Sequence, residues 1–196
     1  MRGLGLIERA LHCLQAGDFT QMERRQFRDL VMAVRHIGDS DGFRDWMRHY
    51  VRPLYPYAAG VVGMGELLFG RIDLKLILGV DCPEEYLREL HTGVGLRQCP
   101  TFLRWSRVRR PLLLEPAANK PYCLAADELR RVAQYGLKNI AAHGFLDTER
   151  RRGSYFNLLG LPRQFCSRDS VLLELLAPAL HLAAERMLPW QSATSA

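Results

Sequence analysis

Cys82-Pro83-Glu84-Glu85-Tyr86-Leu87-Arg88-Glu89-Leu90 reads as a helix start. Pro83 suits a first helical position, where its missing N–H leaves nothing unpaired. Glu84 and Glu85 then lie in the positive end of the helix dipole. The helix is expected to run to about His91, before Gly93-Val94-Gly95 breaks it. The flanks decide the fold class. Upstream, Ala58 to Leu68 is small and apolar with Gly60, Gly63 and Gly65, and Ile72 to Val80 is β-rich. Gly70-Arg71 can turn between them, so the pair reads as a hairpin. Downstream, Pro100 to Arg107 reads as a second helical segment and Pro111 to Glu115 as a strand.

Pro116 to Tyr122 is then expected as a loop, and Ala125 to Gln134 as a helix closed by Gly136. Lys138 to Asp147 and Ser154 to Leu161 read as a second hairpin, turning through Thr148 to Gly153. Ser167 or Asp169 can cap a final helix, Val171 to Leu188. The chain opens on helices. One covers roughly 4–16 and ends at Gly17. The next carries Phe27, Leu30, Val31, Val34 and Ile37 at helical spacing. A third starts near Asp39-Ser40, carries Phe43, Trp46, Met47 and Tyr50, and is stopped by Pro53 and Pro56.

Two hairpins and a lone strand imply an α+β fold: a PAS/GAF-like α-β-α sandwich with a five-stranded antiparallel sheet flanked by helices. Two connections are too short for parallel crossovers, which disfavours a doubly wound sheet. Residues 1–56 are expected as a helical segment packed on the same domain as the sandwich, 57–190.

With 196 residues, 48% of them hydrophobic and 24% charged, the chain can build one globular core. No run of about 18 uncharged apolar residues predicts a membrane span. Met1 to Ile7 is followed at once by Glu8 and Arg9, too soon for a secretory apolar region. The five cysteines, 13, 82, 99, 123 and 166, form no C-x-x-C, which fits reduced thiols and a cytoplasmic location. The net charge of +6 is carried by arginine clusters such as Arg107 to Arg110 and Arg150 to Arg152. These suit acidic partners or solvated faces, and lack the aromatic interleaving of a single-strand reader.

Enzyme chemistry finds no support. There is no G-x-S-x-G, H-E-x-x-H or phosphate-binding glycine loop. Gly60 to Gly65 lacks the dinucleotide order. Cys82, His91 and Cys99 match no zinc spacing, so no metal or cofactor is expected. His143 alternates with Ile140 and Ala142 and is expected on the opposite face, as a satisfied, half-buried histidine; Asn139 is similar.

Three segments carry a resemblance. The first is Pro83–Leu90 with Cys99-Pro100 and Arg110-Pro111-Leu112. The second is Tyr135 to Gly144 with Ser154-Tyr155-Phe156, and the third is Leu172 to His181. In this order they resemble the autoinducer-binding domain of LuxR-type transcriptional regulators, over roughly residues 40–188. The local match is nearest to the EpsA type attached to exopolysaccharide loci. The resemblance implies a cytoplasmic bacterial sensor domain that regulates transcription as a homodimer. It also carries over the lactone pocket. Tyr86 stands where lactone binders have a tryptophan, and Leu90 where they have a tyrosine. Cys99, before Pro100, stands where an aspartate accepts the ligand's amide N–H. Leu114 (or Leu113, if the register slips) stands for a packing aromatic and Ile140 for a glycine, with Trp105 beside them. A thiol is a weak acceptor, and a charge-assisted hydrogen bond to a buried amide is worth about 1.5–3 kcal/mol. The site is therefore expected to be apolar, with Tyr86 and Trp105 as its polar handles, and to hold ordinary acyl-homoserine lactones poorly.

In the family a helix-turn-helix follows this domain; here Pro189-Trp190 is followed only by Gln191 to Ala196, so DNA contact is expected only through a module absent from this chain. On the final helix Glu174, Pro178, His181 and Glu185 form a narrow stripe, and the wide apolar arc remaining includes Leu172, Leu176, Leu180, Ala183 and Met187. That arc suits either a deeply buried core helix or one shared between the core and a second subunit in a homodimer. Two other readings stay open. One is a GAF/PAS-like receptor for a small anionic ligand such as a nucleotide, read by Arg97, Arg104 or Arg107. The other is a pure protein-interaction module with a filled cavity.

Overall fold

One antiparallel sheet carries the architecture. Its strands are β1 (Ala59–Leu68), β2 (Arg71–Val80), β3 (Leu112–Leu114), β4 (Ile140–Asp147) and β5 (Arg152–Leu159), in the order β2-β1-β5-β4-β3. The computed structural model describes residues 19–68, 71–92, 99–116 and 124–187. The expected helix at 4–16, Gly70, the Gly93-Val94-Gly95 break, most of the 116–122 loop and everything after Met187 lie outside those residues. Both hairpins and the lone strand form as expected from the β-rich runs and the turns between them. The β1–β2 register shifts between Met64 and Gly65, where a side chain at Gly65 would collide with the Asp73 carbonyl. Helices cover both faces, giving the expected α+β sandwich of the PAS/GAF-like kind.

On one face lie α1 (Gln21–Ala33), α2 (Ser40–Trp46) and α6 (Ser167–Met187). Thr20 and Glu23 exchange hydrogen bonds as a capping box at α1, and Asp39 Oδ1 accepts the Gly42 N–H at α2. Pro53 does not end the second helical run. The chain widens into a π-type turn over Met47–Val51 and closes with a helical turn, Arg52–Leu54. A wider turn is one way a helix absorbs strain, and here it lies directly ahead of the proline.

α6 starts four residues earlier than the apolar pattern suggests. Asp169 is not its cap. It lies inside the first turn, fully buried, with Oδ2 accepting the Cys166 N–H at 2.8 Å and Oδ1 meeting Arg163 at 2.6 Å. Burial pushes its carboxyl up, but these partners prevail and hold it below the usual carboxylate range.

The other face carries α3 (Glu84–Thr92), α4 (Pro100–Val108) and α5 (Leu124–Ala133). Pro100 occupies the start of α4, Arg109 ends it in a left-handed conformation, and Gly136 at φ 75° closes the α5 region. Each face buries its own apolar cluster. Among the described residues, no helix is long and apolar enough to cross a membrane.

Candidate functional site

The six expected ligand residues converge. Tyr86 and Leu90 from α3, Cys99 at the α4 start, Trp105 from α4, Leu114 from β3 and Ile140 from β4 all lie in the cluster between the sheet and α3–α5. All six are buried. They are brought together by ordinary amphipathicity, since Tyr86 and Leu90 are four residues apart on one face of α3.

The chemistry at Cys99 differs from expectation. Its thiol is held by a carboxylate: Sγ donates to Glu128 Oε1 at 2.7 Å, and Thr101 Oγ1 lies 3.0 Å from Sγ. Glu128 Oε2 accepts the Thr101 backbone N–H at 2.9 Å. That N–H belongs to the first turn of α4, which has no intrahelical acceptor of its own. Glu128 is only 1% exposed, so the interior is less apolar than the six residues alone suggest. Burial, then the neighbouring carboxylate, pushes the Cys99 thiol up to about 12, so it stays protonated as a donor. Glu128 went unread because its charge suggests a solvated face. The signal is its place with Leu129 and Val132 on one side of α5.

Tyr86 and Trp105 do not make an equal pair of polar handles. The Trp105 indole N–H donates to His143 Nδ1 at 3.1 Å, so it is already used. The ring of His143 reaches α4 despite the alternation that points it away. β3 pairs with β4 only over 140–142 and leaves the strand edge open at His143. Burial lowers the His143 imidazole to about 4, keeping it neutral and able to accept. Burial likewise pushes the Tyr86 phenol up, and its ring packs 5.4 Å from that of Tyr135.

Tyr155 from β5 packs between Phe102 and Trp105, with ring centroids at 5.0 and 5.3 Å. Its hydroxyl is surrounded by Thr101, Cys99, Glu128 and Tyr86. Thr101 approaches it without the alignment of a full hydrogen bond. Asn157, on the same face of β5, is fully buried, and among the described residues neither Oδ1 nor Nδ2 has a partner. Neither residue was singled out from the sequence. The signal for Asn157 is an amide inside the apolar run Tyr155-Phe156-Asn157-Leu158-Leu159.

The remaining candidates separate. Leu172, Leu176, Leu180, Ala183 and Met187 are all buried within the single chain, in the core that α6 shares with α1 and α2. The outward surface of α6 consists of Ser167, Val171, Glu174 and Arg186, with Pro178 and Leu182 half-buried. The expected wet stripe is wet only at its start. His181 and Glu185 are buried, because Ser154 meets His181 Nδ1 at 2.8 Å while Arg150 and Arg152 reach Glu185 at 2.6 and 2.9 Å. Burial lowers the His181 imidazole to about 4 despite Glu185 and Asp147 nearby.

Asp147, His181 and Glu185 offer ligand atoms within 4.8 Å of one another. The two arginines on Glu185 supply the positive charge there. Cys82 and His91 bond separately to the carbonyls of Gly60 and Leu87. Asn139 ties its amide to Leu161 in both directions. Arg104 and Arg107 are exposed on the outer side of α4, and Arg97 lies outside the described residues.

No protein-family model matches this sequence, and no curated protein matches it. Solved structures do. The chain is similar to the N-acylhomoserine lactone dependent LuxR family transcription factor CepR2 from Burkholderia cenocepacia, with 18% identity over 87% of this chain and 98% of that one, at a TM-score of 0.63. It is similar to Escherichia coli SdiA, with 13% identity over 85% of this chain and 69% of that one, also at 0.63. The VqsR LBD domain from Pseudomonas aeruginosa gives 15% identity over 88% and 100%, at 0.50. At these identities the likeness is one of fold.

Proposed function

We propose that this chain is a non-catalytic sensor and dimerisation domain of a LuxR-like transcriptional regulator, of the exopolysaccharide-linked type, and that it does not hold ordinary acyl-homoserine lactones. One observation carries the reading. The six positions matched to the lactone pocket fall in one buried layer, yet the amide-accepting position is a thiol already engaged with Glu128. A lactone's amide N–H would have to displace that contact and would find no carboxylate of its own. The fold likeness to CepR2, named as N-acylhomoserine lactone dependent, supports the class of sensor.

The mechanism is a population shift. A ligand that binds one arrangement of α3–α5 better than another biases the dimer, and with it the spacing of any attached DNA-binding modules. The Cys99–Glu128–Thr101 contacts tie the start of α4 to α5, so an occupant moves the two helices together.

The test has two parts. Solution mass across a dilution series is expected to report a dimer. Thermal melts with butanoyl- to dodecanoyl-homoserine lactones are expected to show no stabilisation, whereas a ligand at a hundred times its Kd adds about 2.7 kcal/mol. A strict monomer at every concentration, or a melting temperature that climbs with lactone, overturns the proposal.

A further inference from the structure

Two positions on one face of the central strand carry polar groups that are not fully satisfied among the described residues: Tyr155, which only Thr101 approaches, and Asn157. Tyr155 and Asn157 alternate with Ser154, Phe156 and Leu158; Phe156 and Leu158 pack in the α6 core, and Ser154 meets His181. Tyr155 and Asn157 therefore share the face covered by α3–α5. Both are 0% exposed. Among the described residues both polar atoms of Asn157 lack partners, and the Tyr155 hydroxyl has no aligned one. Their cross-strand neighbours cannot help: Asn157 sits between Val61 and Ala142, and Tyr155 between Gly63 and Gly144. These residues offer no polar side chain, and their backbone groups belong to the sheet. Buried polar groups in native proteins are nearly always satisfied. An amide whose whole polar edge is left unused by the described residues is available to an occupant.

The shape of that edge names its complement. Asn157 presents an N–H donor and a C=O acceptor side by side. A cis-amide edge, as in a lactam, a primary carboxamide or a nucleobase, presents the same two groups and can form both bonds at once. A trans secondary amide points its N–H and C=O in opposite directions and can form only one. Arg104 and Arg107 face solvent, while Glu128 lies in this layer, which favours an uncharged occupant. Tyr86, Leu90 and Ile140 belong to the buried apolar cluster on this same face. Resting on the sensor reading above, we infer that this face holds an uncharged ligand with a cis-amide edge, read by Asn157, with the Tyr155 hydroxyl as a second donor.

Three probes of matched size test it on the whole, isotope-labelled chain: ε-caprolactam, a cis amide; ε-caprolactone, which lacks the N–H; and N-propylpropanamide, a trans amide. Millimolar caprolactam is expected to shift the Asn157 side-chain resonance saturably and to raise the melting temperature, while the other two leave both in place. Asn157→Leu is expected to keep the melting temperature at or above the parent's and to abolish the lactam response. Should that variant fail to fold, Tyr155→Phe is expected to weaken the response several-fold in a folded protein. Equal shifts with all three probes, or no shift together with water contacts at Asn157 Nδ2, overturn the inference. If a fatty acyl compound stabilises the parent and Asn157→Leu equally, the ligand class falls while the sensor reading stands. If the chain is also monomeric throughout, both fall.

Discussion

The two faces of the sheet treat buried charge differently. On the α6 face every buried carboxylate meets arginine: Glu185 binds Arg150 and Arg152, and Asp169 binds Arg163 at 2.6 Å. On the α3–α5 face the carboxylate of Glu128 meets, among the described residues, only a thiol and a backbone N–H. Both faces have idle hydroxyls, Tyr55 and Tyr57 on the first and Tyr155 on the second. His181 Nε2 is idle too, 3.8 Å from Glu185. Among the described residues only the second face leaves a whole amide idle, that of Asn157. Each unpartnered buried group costs about 1–3 kcal/mol. One face is thus built to be filled by its own chain, and the other carries a polar surplus that an occupant can use.

The largest expected effect lies on the α6 face. Leu176 is fully buried there, and Leu176→Ala should lower unfolding free energy by about 4 kcal/mol in urea titrations. Val171→Arg, on the outward surface, should stay within about 0.5 kcal/mol. If the two variants cost the same, α6 is not the core helix described here. If only Val171→Arg changes solution mass, the subunit contact runs through the outward stripe and not through the five buried residues.

Next comes a change that looks like a restoration. Cys99→Asp puts in the carboxylate that the resemblance to lactone binders implies here, but it places two carboxyl groups where Sγ now lies 2.7 Å from Glu128. Like charges so close cannot both ionise, and the pair titrates as a unit with one pKa raised. We expect a loss of about 3 kcal/mol at neutral pH from the buried like-charge contact. The sign with pH follows. A carboxyl whose folded pKa is raised recovers stability as pH falls and loses it as pH rises. Glu128→Gln in the same chain should recover most of the loss. Full stability of Cys99→Asp at pH 8 would mean that Glu128 is not where the structure puts it.

Acid separates the faces on a smaller scale. His143 and His181, one on each, have folded pKa values of about 4 against an ordinary 6.5. Stability from such groups is complete above 6.5 and is lost as pH falls toward 4. From about pH 8 to pH 5 each should remove about 2 kcal/mol. Burial alone sets the His143 value, whereas Glu185, Asp147, Arg150 and Arg152 also act on His181. Salt should therefore alter the acid limb removed by His181→Gln and leave that removed by His143→Gln unchanged.

What the sequence made legible follows from locality. Pro83, Gly136 and the apolar or β-rich runs between turn residues are signals read within a few residues, and they located the hairpins and α3 to within a residue or two. The six candidate ligand positions share one buried cluster because they lie on the apolar sides of those elements. The missed features depend on distant partners. Glu128 meets Cys99 across 29 residues, and Glu185 meets Arg150 across 35. No local pattern states that a charged residue on a helix will find its partner inside. The early start of α6 was missed for a related reason: Asp169 lies inside the first turn and bonds back to the Cys166 N–H, at a place where a carboxylate looks like surface.

The smallest effect asks whether sulfur matters at Cys99. Serine keeps a donor toward Glu128 Oε1, and a hydroxyl is the stronger donor, but it is smaller than the thiol it replaces. Gain and loss should nearly cancel, so Cys99→Ser is expected within about 1 kcal/mol of the parent. Cys99→Ala removes the donor and leaves a carboxylate oxygen idle, at about 2 kcal/mol. The gap between the two measures the hydrogen bond, free of most of the packing change. If serine and alanine cost the same, Glu128 takes its stability from the Thr101 N–H alone, and Cys99 on the α3–α5 face is filler. A gap above about 1 kcal/mol makes the thiol a working partner of the carboxylate, so any ligand that reaches Glu128 has to compete with it.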